Sequence, residues 1–220
     1  MIKKTILFIF LSIISLQAQT AEEIINKHFE QTGGYKNWNN LNSIYIEGEV
    51  YFDLGSSVKL KIEHRRPYYK NVSFIENGKE KLSEGYDGES AYTFNEVNGK
   101  NKKLPNYKPD AFETDILNYD KKGFKVEYIG KENLDGTQTY HIKLIKNTEQ
   151  EDYWFNVKNY YLIQNKNNLE TVKYSDFKIF KGLVFATKME NQPTGGKDYT
   201  IIFNKIEPNK AINPRRFEFE

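Results

Sequence analysis

Side chains able to do acid–base, metal or nucleophilic work are few in this sequence, and their spacing suits none of those tasks. The three histidines, His28, His64 and His141, are too far apart in sequence for a zinc-ligand motif. Cysteine is absent, which removes thiolate nucleophiles and thiolate ligands together. No Gly-x-Ser-x-Gly elbow, zinc-protease helix or phosphate-cradling glycine loop occurs. Asp110, Glu113, Asp115 and Asp120 lack the calcium-loop pattern and read as a solvated face. Tyr86-Asp87-Gly88 reads as a turn between strands rather than an acidic site. Arg65-Arg66 and Arg215-Arg216 read as surface pairs, one of which could meet an anionic headgroup. Tyr68-Tyr69-Lys70 interleaves aromatic and basic residues, but on a neutral chain it reads as a strand. Catalytic residues, metal ligands and cofactors are therefore not expected. What is left for binding is apolar: Val58, Leu60, Ile62, Phe74, Tyr140, Ile142, Leu144 and Phe155.

These residues have to be positioned by strands. Val126, Tyr128, Tyr140, Ile142, Leu144, Tyr153 and Phe155 recur at a spacing of two, the period of a strand with one buried face. Asp135-Gly136 supplies the tight turn between the first two of these strands. Upstream, Thr20 and Glu23 form a capping box, and Ala21, Ile24, Ile25, His28 and Phe29 make one helical stripe. His28 thus reads as a packing residue. Gly33-Gly34 ends that helix, and Tyr35, Trp38 and Leu41 suggest a further turn. The period then becomes two through Ile44, Ile46, Val50 and Phe52, and again through Val58, Leu60 and Ile62. A third run covers Tyr68 to Ile75, and two more flank Tyr86-Asp87-Gly88. The dipeptides Asn77-Gly78, Asp87-Gly88 and Asn98-Gly99 recur on the beat of an antiparallel meander.

Asn98 to Pro109 reads as an exposed loop. Pro109 suits a first helical position, and Phe112, Ile116 and Tyr119 then share a face. Strands resume at Tyr160 to Gln164, Glu170 to Phe180, Leu183 to Glu190 and Tyr199 to Ile206. Lys181-Gly182 and Pro193-Thr194-Gly195-Gly196 serve as turns. The predicted fold is mainly β (α+β): a large curved antiparallel sheet or incomplete barrel of about 11–12 strands. An N-terminal helix and a short inserted helix cover its concave face. Such cover leaves room for an apolar ligand, or else helices and aromatics fill the interior. The pattern alone does not choose.

Residues 1–18 read as a signal peptide: Lys3 and Lys4 lead an apolar run from Ile6 to Leu16 that is too short to span a bilayer, and Leu16-Gln17-Ala18 suits cleavage. Residues 19–220 then form one domain. Without Lys3 and Lys4 the basic and acidic residues are equal in number, which argues against a nucleic-acid partner. The lack of cysteine excludes disulfide staples and a lipid-bearing thiol. A soluble, monomeric periplasmic protein that is not itself a lipoprotein is expected.

The chain resembles the LolA/LolB-like outer-membrane lipoprotein-sorting superfamily, in a divergent form, over nearly all of residues 19–220. The resemblance rests on Ala21-Glu22-Glu23-Ile24-Ile25 with Thr32-Gly33-Gly34, on Ile44-Tyr45-Ile46-Glu47-Gly48 and on Tyr86-Asp87-Gly88. It continues through Val126-Glu127-Tyr128-Ile129-Gly130-Lys131-Glu132, Gly136, Tyr140, Tyr174-Ser175-Asp176-Phe177 and Gly182-Leu183-Val184-Phe185. It implies a helix-capped half-barrel that holds acyl chains, with Phe112, Ile116 and Tyr119 as a lid over the mouth. The implied ligand is a lipid or an acylated protein, with an outer-membrane or envelope protein as a further partner and no enzymatic activity. An arginine near the mouth is also implied, but Arg65 and Arg66 lie at a strand end without a motif match. A non-catalytic envelope module with a filled core is the alternative.

Overall fold

The structure, a computed structural model, describes residues 20–52, 55–107 and 114–219. The first helix, α1 (Ala21–Gln31), starts at the expected cap. Thr20 Oγ1 accepts from the Glu23 amide at 3.2 Å, and the Glu23 carboxylate accepts from the Thr20 amide at 3.1 Å. Past the C-cap at Thr32, Gly33 takes φ 125° with the Gly182 carbonyl oxygen 2.4 Å from where a Cβ would sit. Only glycine fits that crossing. A short second helix, α2 (Tyr35–Asn39), follows.

The rest is one antiparallel sheet. Its strands are β1 (Ser43–Phe52), β2 (Ser57–Arg65), β3 (Tyr69–Glu76), β4 (Lys79–Tyr86), β5 (Ala91–Asn95), β6 (Lys100–Leu104) and β7 (Lys125–Leu134). They continue as β8 (Thr137–Lys146), β9 (Glu149–Asn156), β10 (Leu162–Lys166), β11 (Glu170–Phe180), β12 (Leu183–Pro193) and β13 (Tyr199–Pro208). Across the sheet the order is 6-5-4-3-2-1-13-12-11-10-9-8-7. The two edge strands, β6 and β7, are thus neighbours in sequence, and one missing pairing keeps the ring open. This is the expected incomplete barrel.

Turn chemistry explains much of the register. Asn77-Gly78, Asp135-Gly136 and Lys181-Gly182 each have positive φ at both residues, 51° and 76°, 49° and 84°, 48° and 81°. That pair of angles matches the twist of flanking strands. At Asp87 the carboxylate instead accepts from the amides of Glu89 and Ser90 at 2.8 and 2.7 Å, so it shapes a turn as expected.

Two expectations are corrected. Residues Lys100 to Leu104 are not loop but strand β6, paired with β5 from Ala91↔Leu104 to Asn95↔Lys100. The described part of the insert, Thr114 to Gly123, is a run of turns rather than a helix. Asn118 takes φ 53°, and its carbonyl accepts from Lys121, which breaks a helical ladder. Phe112 lies outside the described residues.

Three apolar clusters hold the fold. The largest joins α1, α2 and Ile116-Leu117 to β7, β8 and β9. A second gathers Ile44, Ile46 and Ile206 at the β1–β13 seam. The third packs Phe217 and Phe219, beyond β13, against Leu82 and Tyr92.

Candidate ligand-binding face

Strand register decides which side chains share a face. One unbroken row runs Tyr128–Ile142–Tyr153–Asn165–Val172–Asn191–Tyr199–Phe52 across β7 to β1. Phe52 has the parity of Ile44, Ile46 and Val50, which pair with His64, Ile62 and Val58 on β2. Leu60 in turn pairs with Phe74. All eight predicted binding residues therefore lie on one face, the inner face that carries α1.

They do not form one continuous lining. Ile142, Leu144 and Phe155 have no exposed surface and Tyr140 is buried; all four pack in the cluster of Ile24, Ile25 and Phe29. The helix occupies that half of the wall. On the other half Leu60 is buried, while Val58, Ile62 and Phe74 stay half-buried. Burial of the α1 cluster also governs His28. Its Nδ1–H donates to the Tyr160 carbonyl at 2.9 Å, its ring sits edge-on to Phe29 and Phe155, and desolvation lowers its pKa to about 4. It is a packing residue, as its place on the stripe predicts.

The described ends of the insert pack on the inner face at opposite edges of the sheet. Tyr107 donates to the Glu84 carboxylate on β4, and its ring is tilted against that of Tyr86 with centroids 6.0 Å apart; Glu84 also receives Lys70 at 2.6 Å. At the far side Ile116 is fully buried in the α1 cluster and Tyr119 packs against it. Asn118 Nδ2 donates to Asn39 Oδ1 at 2.7 Å, tying the insert to α2. Opening the predicted lid thus requires Ile116 to leave a packed core.

Part of the inner face escaped the apolar reading of the sequence. Glu151, Asn165, Tyr174 and Asn191 line the wall between the α1 cluster and the seam. Tyr174 donates to Asn165 at 2.9 Å, and Tyr153 donates to Glu151. Burial, reinforced by Glu170 and Glu151, raises the Tyr174 hydroxyl pKa well above its usual value. Burial and Glu151 do the same for Tyr153. Both therefore stay neutral donors. Their period-two spacing was visible, but tyrosine counts as core in such a pattern.

On the outer face, His141 contacts Glu132 at 2.8 Å through Nδ1 and Asp152 at 2.7 Å through Nε2, and stacks on Trp154. The cluster ties β7, β8 and β9 together. Among the described residues no group of histidines and carboxylates is arranged to hold a metal ion, and no helix is long and apolar enough to cross a membrane. The arginines have specific tasks. Arg66 donates to the carbonyls of Asn39 and Trp38 at 3.0 and 3.3 Å, capping α2, and Arg65 lies 4.3 Å above the Tyr69 ring.

No protein-family model matches the sequence, and no curated protein matches it. Solved structures do. A DUF1329 family protein from Desulfovibrio piger superposes with TM-score 0.64 at 11% identity, over 92% of this chain and 100% of that one. A putative outer membrane lipoprotein-sorting protein domain from Vibrio parahaemolyticus gives 0.60 at 11%, over 89% and 94%. A LolA superfamily protein from Nitrosomonas europaea gives 0.58 at 13%, over 91% and 98%. Across nearly its whole length, the chain has the fold of the LolA superfamily structures.

Proposed function

We propose that this protein is a non-catalytic periplasmic carrier. Its ligand is the acyl chain of a lipoprotein, or another lipid-like molecule, held against the inner face of the half-barrel. The observation behind this reading is the stretch of inner wall beyond the reach of α1, where Val58, Ile62 and Phe74 remain half-buried beside Leu60. An apolar wall inside an unclosed sheet suits an apolar chain. The fold shared with a lipoprotein-sorting domain supports it, as does the leader expected at residues 1–18. The insert, through Ile116 and Tyr119, would act as the gate.

Binding of a fluorescent acyl probe to delipidated protein tests the proposal. It should show a negative heat-capacity change, and Phe74→Asp should weaken it by about tenfold or more, because an unpaired carboxylate on an apolar wall is costly. Ile142→Asp is a poor test, since it would strike the core beneath α1. Failure of folded wild type to bind would instead favour an envelope interaction module with a filled core. The complete burial of Ile142, Leu144 and Phe155 is what speaks for that second reading.

A further inference from the structure

The segment after β13 crosses to the outer face, away from the inner wall. A second row, Tyr45–Glu63–Asn71–Gly85–Tyr92–Lys103, runs across β1 to β6 on that face. The chain's last described residues lie on this row without joining the sheet as a strand. They are held as a bound peptide is held. Phe217 and Phe219 insert beside Leu82 and Tyr92. Asn71, itself 6% exposed, donates through Nδ2 to the Arg216 carbonyl at 2.7 Å, and Asn101 donates to the Phe219 carbonyl at 3.1 Å. The Arg216 guanidinium meets the buried Glu63 and also Glu80, each at 2.6 Å. Arg65 lies over both the Tyr69 and Phe217 rings. Gly85 makes the seat possible: a Cβ there would stand 2.7–2.9 Å from the Phe219 ring. Open clefts of about 610 and 750 Å³ flank the segment and share its residues as walls.

We propose that the outer face of β2–β6 is a peptide-docking groove occupied in cis by the chain's own tail. It would take, in trans, a segment with an arginine followed by two aromatics one residue apart, shaped like the single 3-10 turn that Pro214–Phe217 makes. Each part of that pattern has its own receptor: an acidic pair for the arginine, two aromatic-lined seats, and side-chain amides for backbone carbonyls. Because the backbone is read by side chains rather than by a ladder, exchange of one peptide for another need not unzip the sheet. Strands of outer-membrane barrels alternate apolar and polar residues and carry aromatics where they meet the membrane interfaces, which makes such a strand end, while still unfolded, the partner whose chemistry fits.

The test uses a labelled peptide of residues 211–219 and full-length protein. In wild type the tail competes, and apparent affinity falls by the fraction of molecules with the groove open. Phe217→Ser/Phe219→Ser in the full chain weakens the tail while leaving the groove intact. That variant should bind the peptide about tenfold or more tighter than wild type. Adding Gly85→Ala should abolish the gain. A folded double variant that ignores the peptide, or a Gly85→Ala protein that binds it equally well, overturns the proposal. Should the double variant fail to fold, a protease site placed at Ala211 of the otherwise wild-type chain releases the tail after folding. Exchange of the cut tail for labelled peptide then supports a groove; unfolding on cleavage, or a tail that never exchanges, makes it fixed core.

Discussion

Two histidines make stability depend on pH in a direction that can be worked out. Burial lowers the pKa of His28 to about 4, and burial followed by Lys70 lowers that of His64 to about 3. Both are neutral in the folded protein, whereas in the unfolded chain they take up protons below about 6.5. Stability is therefore full above that value and lost as pH falls towards the folded values, by about 1.4 kcal/mol per pH unit for each histidine. Urea titrations at pH 7.5 and 5 should differ by about 2 kcal/mol per histidine, and His28→Gln should flatten the dependence. An equal midpoint at both pH values would show that neither ring is buried neutral.

At the scale of elements, the insert and the β1–β13 seam give the sharpest expectations. Ile116→Ala should cost about 2–5 kcal/mol, the range for a buried aliphatic in a packed core, so that a gate here opens only at that cost; a smaller loss in denaturant titration would mean a loosely held lid. At the seam, a Cβ on Gly48 would lie 2.6 Å from the Ile202 carbonyl oxygen, where the register shifts between Glu47 and Gly48. Gly48→Ala should destabilise by about 1–3 kcal/mol, measured in the same way. What the sequence revealed about the elements follows the strength of local signals. The capping box at Thr20 and the paired positive-φ turns were legible because few other residues satisfy those geometries. Strand β6 was not. Lys100, Lys102 and Lys103 carry no apolar alternation, and lysines on an edge strand guard against pairing with other chains. The insert misled because Phe112, Ile116 and Tyr119 keep helical spacing while Asn118, between them, turns left-handed. The division of the inner wall into a part buried under α1 and a half-buried part was illegible for another reason: both halves alternate alike, and only tertiary contact distinguishes Ile142 from Ile62.

For the whole molecule, the expected leader predicts an exported chain that begins near Gln19. N-terminal sequencing of protein from the envelope fraction should find that terminus, while an intact Met1 would place the protein elsewhere. The order of strands has a further consequence, for assembly. Ile44 faces Pro208 across the seam, so the pairing that unites the two halves joins residues at opposite ends of the described chain. Closing so long a loop costs more entropy than any hairpin here, and such non-local pairings slow folding. The hairpins of β2–β6 and β7–β12 can zip locally as the chain folds. Strand β1 must then wait, with one apolar-flanked edge bare, until β13 joins it. A chain truncated after β12 carries that edge as a template for aggregation.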